Sequence, residues 1–263
     1  MKGRVLIIAG SDSSGGAGIQ ADIKTITALN GFAMTAITAL TAQNTNVVSN
    51  IHKTPPEFVA EQIRITIEDI GVDAIKTGMM VDAPIIESAA DVLDDLGSGV
   101  PWIVDPVMVS TARDRLLDID AIESLKERLI SRASLVTPNM AEAEVLAGIT
   151  VSNPKEMISA GKAILDLGAS AVLVTGGHLD GSLLTDVLVS SNGVDCFENL
   201  RLETRHTHGT GCTLASAISC GLAQGLELEN AISLAREYVI SAIRYAPGFG
   251  SGHGPLNHSH TFK

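Results

Sequence analysis

Aromatic residues are scarce in this sequence: Phe, Tyr and Trp make up 3% of the 263 residues, although 45% of the residues are hydrophobic. The core must therefore be built from Ile, Val, Leu and Ala, a mixture that suits a parallel sheet covered by helices on both faces. Cysteine is also rare. The three copies, Cys196, Cys212 and Cys220, fit the spacing of neither a zinc site nor a disulfide framework.

Positively charged residues are also few: the sequence has 18 Lys and Arg but 30 Asp and Glu, which gives a net charge of −12. Such a chain lacks the electrostatic footprint of a protein that binds nucleic acid or an anionic membrane. A phosphate ligand would have to be held locally, which favours a metal–nucleotide complex. The apolar run at the N-terminus is too short for a signal peptide or a membrane span, so we expect a cytoplasmic protein.

Strand-like and helix-like hydrophobic spacing alternate along most of the chain. This alternation predicts an α/β fold with an open, mainly parallel sheet, in a single domain that spans residues 1–263. Residues 119–130 have the pattern of one helix, and residues 184–189 and 193–200 that of a hairpin. The length leaves no room for a second catalytic domain, so we expect no fusion. Polar motifs follow several strands, and ligands of open α/β sheets bind beyond such strand ends.

One polar, glycine-rich turn, residues 208–213 (His-Gly-Thr-Gly-Cys-Thr), runs directly into a helix of small residues. This geometry points backbone N–H groups at one spot on the positive end of a helix dipole, which favours an anion such as phosphate. It also places Cys212 in the first helical turn, where we expect the pKa of the thiol to be lowered. The alternative is an ordinary glycine-rich helix start with a buried cysteine.

A second glycine-rich loop, residues 12–18, follows the first predicted strand but fits neither a dinucleotide fingerprint nor a P-loop. Asp22 on the next helix either faces a substrate or is a solvated surface charge. Gln43 and Asn44 end an apolar strand, where an amide suits a heterocycle such as an aminopyrimidine, or they simply form a turn.

Oxygen ligands for a cation are expected near the ends of two further strands. Asp105 ends a buried strand, where it needs a cation or hydrogen-bond donors nearby. Asn139 and Glu142 share one face of a helix start, and such oxygens hold Mg²⁺ together with nucleotide phosphates. Their spacing also fits a capping box, and we weigh the two interpretations equally. The histidines near the C-terminus, at 253, 258 and 260, fit a solvated tail better than a metal site.

Taken together, the motifs resemble those of the bacterial hydroxymethylpyrimidine/phosphomethylpyrimidine kinases of thiamine biosynthesis, members of the ribokinase-like superfamily. The match runs in order over essentially the whole chain. Its segments are 9–25 (AGSDSSGGAGIQADIKT), 41–45 (TAQNT), 76–79 (KTGM), 105–108 (DPVM), 137–143 (TPNMAEA), 176–178 (GGH), 207–213 (THGTGCT) and 252–255 (GHGP).

The resemblance implies a three-layer α/β/α sandwich, usually a homodimer, and two successive ATP-dependent steps. The first step phosphorylates the hydroxymethyl group of 4-amino-5-hydroxymethyl-2-methylpyrimidine, and the second converts the monophosphate to the diphosphate. The residues that would line the pyrimidine pocket are Gly10, Asp22, Gln43, Met79 and Val107.

On the phosphate side, the resemblance assigns the anion hole to Gly209, Thr210 and Gly211. Cys212 stands where sugar kinases of the superfamily carry an Asp base, so it is the candidate base for the first step. The alternative is that Cys212 mainly shapes the pocket. The residues that would contact the nucleotide are Asp105, Asn139, Glu142, Thr175 and Gly177, with Asp105 and Glu142 also holding Mg²⁺.

Two positions depart from the family pattern. Many relatives carry a Lys at the position of Thr175, where it reaches the nucleotide phosphates. The loop after Asp105 carries Arg113, a candidate replacement cation if that loop acts as a lid. The alternatives for function are a pyridoxal kinase, since pyridoxal is also a hydroxymethyl heterocycle, and a catalytically silent pyrimidine binder.

Overall fold

A computed structural model describes residues 2–110, 114–177 and 181–262. The strands are β1 Arg4–Asp12, β2 Phe32–Gln43, β3 Val48–Lys53, β4 Ala74–Thr77, β5 Trp102–Val104, β6 Leu135–Val136, β7 Ala171–Val174, β8 Leu183–Ser190 and β9 Gly193–Leu200. The α-helices are α1 Gly18–Ala28, α2 Pro56–Ile70, α3 Ala83–Leu96, α4 Ala121–Ser124, α5 Met140–Ala147, α6 Pro154–Leu165, α7 Thr210–Ala223 and α8 Leu228–Arg244.

All nine strands of the described residues form one sheet in the order β3-β2-β1-β4-β5-β6-β7-β8-β9. The six strands from β2 to β7 in this order pair in parallel, whereas β3, β8 and β9 pair antiparallel to their neighbours. The predicted hairpin of β8 and β9 is confirmed. The chain leaves β1 toward β2 and later returns to β4 on its other side. This makes the gap between β1 and β4 a topological switch point, where ligands of such sheets bind.

Apolar side chains cover both faces of the sheet, because its central strands are buried on both sides. Along β1, Leu6 and Ile8 pack toward helices α2 to α6, and Val5 and Ile7 pack toward α1, α7 and α8. This alternation follows from the period of two in a strand. The result is the three-layer α/β/α arrangement of the ribokinase-like fold that the sequence predicts.

The predicted helix over residues 119–130 differs from the observed structure. Only Ala121–Ser124 is α-helical, and a π-helical turn, Leu125–Leu129, and a 3₁₀ turn, Ile130–Arg132, follow it. The wider π turn shifts the register of the helix, so that Leu129 and the adjacent Ile130 are both fully buried. No helix among the described residues is both long and apolar enough to cross a bilayer.

Candidate active site at the carboxyl edge of the sheet

The turn before α7 has the geometry of an anion site. Gly209 caps the helix with a φ of 86°, and a Cβ there would overlap the carbonyl oxygen of Gly16, so only glycine fits. The amide of Thr213 donates to Gly209 O at 2.9 Å and that of Thr210 to Thr207 O at 3.3 Å. The amides of Gly211 and Cys212 belong to the first helical turn, which has no intrahelical acceptor for them. They are thus placed to receive a phosphoryl group.

The Asp12 carboxylate ties the glycine-rich loop after β1 to this anion site. It accepts hydrogen bonds from the amides of Ser14, Gly16 and Ala17 at 2.8, 3.1 and 2.8 Å. Its Oδ2 also lies 2.8 Å from Nε2 of His208, and both side chains are buried. Burial alone would raise the pKa of Asp12, but the hydrogen bonds from His208 and Ser14 outweigh it and hold the pKa at about 2.

A buried lysine that the sequence analysis left without a role lies beneath the site. The side chain of Lys76 on β4 is fully buried, and its Nζ lies 3.1 Å from Oδ2 of Asp22 on α1 and 3.7 Å from Oδ2 of Asp105. Asp22 also accepts a hydrogen bond from Ser216 at 2.7 Å. Burial alone would lower the pKa of Lys76, but the two carboxylates raise it, so the ammonium stays charged.

The position of Asp22 decides between its two predicted environments. Asp22 has no exposed surface, so the prediction of a solvated surface charge is wrong. Both of its carboxylate oxygens accept hydrogen bonds from Lys76, because Lys76 points to the face of the sheet that α1 and α7 cover. The sequence signal for this pair was a lysine within a four-residue strand that is otherwise apolar except for its last residue.

The expectation of a lowered pKa for Cys212 is wrong. Burial raises the pKa of this thiol to about 12; Lys76 opposes the shift, whereas the carboxylates of Asp105 and Asp22 add to it. The backbone amide of Gly18 faces the sulfur without reversing the shift. The helix-terminus effect is therefore overcome by desolvation and two nearby negative charges, and the resting group is a neutral thiol.

Asp105 and Glu142 bring two further buried carboxyl groups close together. The expected cation beside Asp105 is Lys76, but Oδ2 of Asp105 accepts no hydrogen bond from any described residue. Burial raises the pKa of Asp105 to about 6; Lys76 opposes the shift and Asp22 adds to it. Burial, and then the charge of Asp105, raise the pKa of Glu142 to about 8. These acids share more negative charge than one lysine neutralises.

The capping box predicted as one interpretation of Asn139 and Glu142 is present. The Glu142 amide donates to Asn139 Oδ1 at 3.0 Å, and the Asn139 amide donates to Glu142 Oε2 at 2.9 Å. Oε1 of Glu142 accepts from the amide of Met108 at 3.3 Å. The Glu142 side chain nevertheless faces the charge of Asp105, so the cap and a role at a cation are compatible. No group of three or more metal-ligating side chains occurs within residues 2–110, 114–177 and 181–262.

Four of the five residues predicted for the pyrimidine pocket, Gly10, Gln43, Met79 and Val107, lie near the ends of β1, β2, β4 and β5. The fifth, Asp22, lies on α1 and binds Lys76. Gly10 and Met79 touch, because a Cβ on Gly10 would lie 2.9 Å from the Met79 sulfur. Gln43 ends β2 and accepts a hydrogen bond from Thr41 at 2.9 Å, and Val107 follows β5. The structure thus lines these side chains along one sheet edge, and their contact with a substrate stays a prediction.

The predicted nucleotide residues meet across β6 and β7. The amide of Thr175 donates to Pro138 O at 2.9 Å, and Thr175 pairs with Asn139 in an isolated bridge. The next amide, of Gly176, donates to the carboxylate of Asp186 at 2.8 Å. Arg113 and His178 lie outside the described residues, so the lid hypothesis for Arg113 stays a prediction.

The prediction of a solvated tail for the C-terminal histidines is wrong for His258, whereas His253 is exposed. His258 is buried, with its Nδ1 3.2 Å from the Tyr238 hydroxyl and 3.3 Å from that of Thr25. These contacts attach the end of the chain to α1, through Thr25, and to α8, through Tyr238.

Comparison with known proteins points to one family. A family model described as phosphomethylpyrimidine kinase matches residues 12–257. The chain is 44% identical over 254 residues to the hydroxymethylpyrimidine/phosphomethylpyrimidine kinase of Streptomyces coelicolor, which covers 97% of this chain and 93% of that protein. It is 48% identical over 257 residues to a bifunctional thiamine biosynthesis protein of Geobacter sulfurreducens, which covers 98% of this chain but only 52% of that relative.

Solved structures share the fold. An ADP complex of Bacillus subtilis pyridoxal kinase superimposes with a TM-score of 0.91 at 37% identity and covers 98% of both chains. The phosphomethylpyrimidine kinase of Clostridium difficile superimposes with a TM-score of 0.82 at 41% identity, over 92% of this chain and all of that one.

Proposed function

The chain belongs to the phosphomethylpyrimidine kinase family, and we propose that it phosphorylates 4-amino-5-hydroxymethyl-2-methylpyrimidine and then the resulting monophosphate, with ATP as the donor in both steps. It is a phosphotransferase of thiamine biosynthesis. The observation that carries the assignment is the glycine-capped start of α7, whose Cys212 side chain feels the charges of Lys76 and Asp105, within a chain that matches this family along 246 residues from 12 to 257.

Phosphoryl transfer asks the protein mainly for positioning and for neutralisation of charge. The amides at the start of α7 supply fixed partial positive charge for the moving phosphoryl group. Asp12 forms hydrogen bonds with His208, which precedes α7, and with the loop after β1. These bonds hold the start of α7 against that loop. The transferring group therefore meets donors that are already oriented when the substrate binds.

The two steps differ in their nucleophile. The hydroxymethyl oxygen is a neutral alcohol, whereas the monophosphate is largely ionised near neutral pH because its second pKa is about 6. A base at Cys212 would serve the first step, but the pKa of that thiol is raised to about 12. A loose transition state relies little on early proton removal, so we assign Cys212 to shaping the pocket and contacting the nucleophile, with its proton retained.

Mg²⁺ fits the carboxylates at this edge. Asp105 Oδ2 is buried and accepts no hydrogen bond from a described residue, and burial, to which nearby carboxylates add, raises the pKa values of Asp105 and Glu142. Two carboxylates, completed by water and phosphate oxygens, are a typical donor set for this ion. When bound, Mg²⁺ neutralises charge on the nucleotide phosphates. Asp105 and Glu142 would hold it, and Asn139 would keep Glu142 oriented through the capping box.

Pyridoxal is the second candidate substrate, since the B. subtilis pyridoxal kinase shares the fold at a TM-score of 0.91. Both substrates are heterocycles with a hydroxymethyl group. Gln43 favours the aminopyrimidine, because an amide offers one donor and one acceptor to its ring nitrogen and amino group.

We further propose a single catalytic domain over residues 1–263, a homodimer, and action in the cytoplasm.

The experiment that tests this function supplies the protein with Mg-ATP and hydroxymethylpyrimidine and separates the mono- and diphosphate products, with pyridoxal in parallel. Diphosphate formation supports the two-step kinase. Turnover of pyridoxal alone would move the assignment to pyridoxal phosphorylation. Tight pyrimidine binding without any turnover would instead identify a silent binder.

A further inference from the structure

A buried ion pair with no role in the chemistry above lies behind the turn Thr175–Gly177. Asp186 on β8 and Arg236 on α8 are 4% and 8% exposed. The guanidinium of Arg236 donates to Oδ2 of Asp186 and to Oδ1 of Asn199 on β9, and it lies 5.7 Å above the ring of Phe197. Buried ion pairs of this kind add little net stability compared with apolar side chains. We therefore look for the role of this pair in the other hydrogen bonds that its residues make.

The remaining oxygen of Asp186 leaves this pair and binds the turn. Oδ1 accepts a hydrogen bond from the amide of Gly176 at 2.8 Å, in a buried setting. On the outer side of the same turn, Arg201 donates to Gly177 O at 2.8 Å and to Gly181 O at 3.0 Å. A carboxylate therefore fixes one peptide of the turn and a guanidinium fixes the next.

The turn Thr175–Gly177 lies next to the proposed metal site. Thr175 pairs with Asn139, whose amide holds Glu142, so the turn adjoins the carboxylates that fit Mg²⁺. A Cβ added to Gly177 would meet no atom of the described residues within 4 Å, so this face of the turn is open. Because Thr175 supplies no positive charge, the backbone of the turn must contribute more to nucleotide binding.

We propose that Asp186 is a positioning residue for the nucleotide, because its carboxylate holds the amide of Gly176 and so keeps the turn Thr175–Gly177 in the shape that receives ATP. The proposal rests on the proposed kinase function for the location of the nucleotide. Arg236 acts one step further away: it donates to the Asp186 carboxylate and orients it, while Asn199 and Phe197 hold the guanidinium in place.

A pair of double variants separates this role from mere stability. Asp186→Asn with Arg236→Met removes both buried charges but keeps an oxygen that can accept from Gly176. Asp186→Leu with Arg236→Met removes the same charges and the acceptor, with a side chain of similar size. Because neither variant leaves an unpaired buried charge, both are expected to fold. Asp195→Asn, an exposed change on β9, is the matched surface control.

The readouts are the Kd of ADP by calorimetry, the KM values of ATP and of the pyrimidine, and thermal unfolding. We expect the Asn double variant to bind ADP within about twofold of wild type. The Leu double variant should bind it about tenfold more weakly, the loss expected for one buried hydrogen bond. The KM of the pyrimidine should stay constant in both.

Equal ADP affinity in the two double variants would overturn the proposal, and so would a loss that affects the pyrimidine as much as the nucleotide. A wild-type protein that does not bind ADP would overturn it as well. If wild type binds ADP but phosphorylates no pyrimidine, the proposed function fails, and the ADP comparison still decides the role of Asp186.

Discussion

The ammonium group of Lys76 lies 3.1 Å from Oδ2 of Asp22, and neither side chain has any exposed surface. A Cβ on Gly78 would come within 2.9 Å of the same Nζ, so the neighbouring strand end is shaped around the ammonium. This pair joins β4 to α1 directly below Asp105. It places the one fully buried cation of the described residues under the proposed phosphoryl-transfer site.

Removing one partner of this pair should destabilise the fold strongly. Lys76→Met leaves the buried carboxylate of Asp22 unpaired, which is expected to lower the free energy of unfolding by about 3–5 kcal/mol. Lys76→Met combined with Asp22→Asn should recover most of that loss. Urea unfolding measures both. Lys126→Met, which breaks an exposed pair with Glu123, is the control and should change stability by less than about 1 kcal/mol. A Lys76→Met variant as stable as wild type would contradict this account.

Cys212→Ala should slow both phosphorylation steps by similar factors. A neutral thiol contacts the nucleophile in each step, whereas a general base would be worth about 10²–10⁴-fold in the first step and little in the second. Single-turnover rates measured separately with the hydroxymethylpyrimidine and with its monophosphate decide the matter. Cys196→Ala, at an exposed cysteine, is the control. A loss confined to the first step would restore Cys212 as the base.

Glu142→Gln should raise the Mg²⁺ concentration needed for half-maximal activity by at least about tenfold, while the KM of the pyrimidine changes little. The glutamine side chain keeps an oxygen for the backbone amide of Asn139 but loses the carboxylate that would bind the ion. Initial rates across a Mg²⁺ titration give the result. The exposed change Glu61→Gln on α2 is the control. An unaltered Mg²⁺ dependence would remove Glu142 from the proposed metal site.

The Asp12–His208 contact should stabilise the fold at neutral pH and lose that effect in acid. The pKa of Asp12 is about 2 in the folded protein and near 3.8 when unperturbed. The stabilisation is therefore fully present above pH 4 and fades as the pH falls toward 2, with a total of at most about 2 kcal/mol. The stability gap between wild type and Asp12→Asn in urea unfolding should narrow from pH 5 to pH 3. A gap that stays constant would show that the charge of Asp12 contributes nothing.

Much of the fold follows from local patterns in the sequence. The apolar runs of β1 and β4, and the glycine turn before α7, carry their own signals, so the strands, the parallel sheet and the glycine-capped start of α7 were predictable. The helix over residues 119–130 was predicted as regular, because a π turn depends on packing against the core and leaves no local signature.

The electrostatics of the site could not be predicted in the same way. The pKa of Cys212 rises because tertiary packing removes water and brings Asp105 close, whereas the helix-terminus rule considers only the local turn. The partner of Lys76 is 54 residues away in sequence, so their pairing becomes visible only in the folded structure. Asn139 and Glu142 form a capping box, and the Glu142 side chain also lies close enough to Asp105 to feel its charge. The spacing of the two residues in the sequence shows the capping box but not the neighbouring carboxylate.

The measurement that tests the central claim most directly is a competition assay with Mg-ATP, hydroxymethylpyrimidine and pyridoxal in one reaction, with the phosphorylated products resolved over time. The account predicts that kcat/KM for the pyrimidine exceeds that for pyridoxal, and that pyrimidine diphosphate accumulates after the monophosphate. A higher kcat/KM for pyridoxal, with no pyrimidine diphosphate, would contradict it.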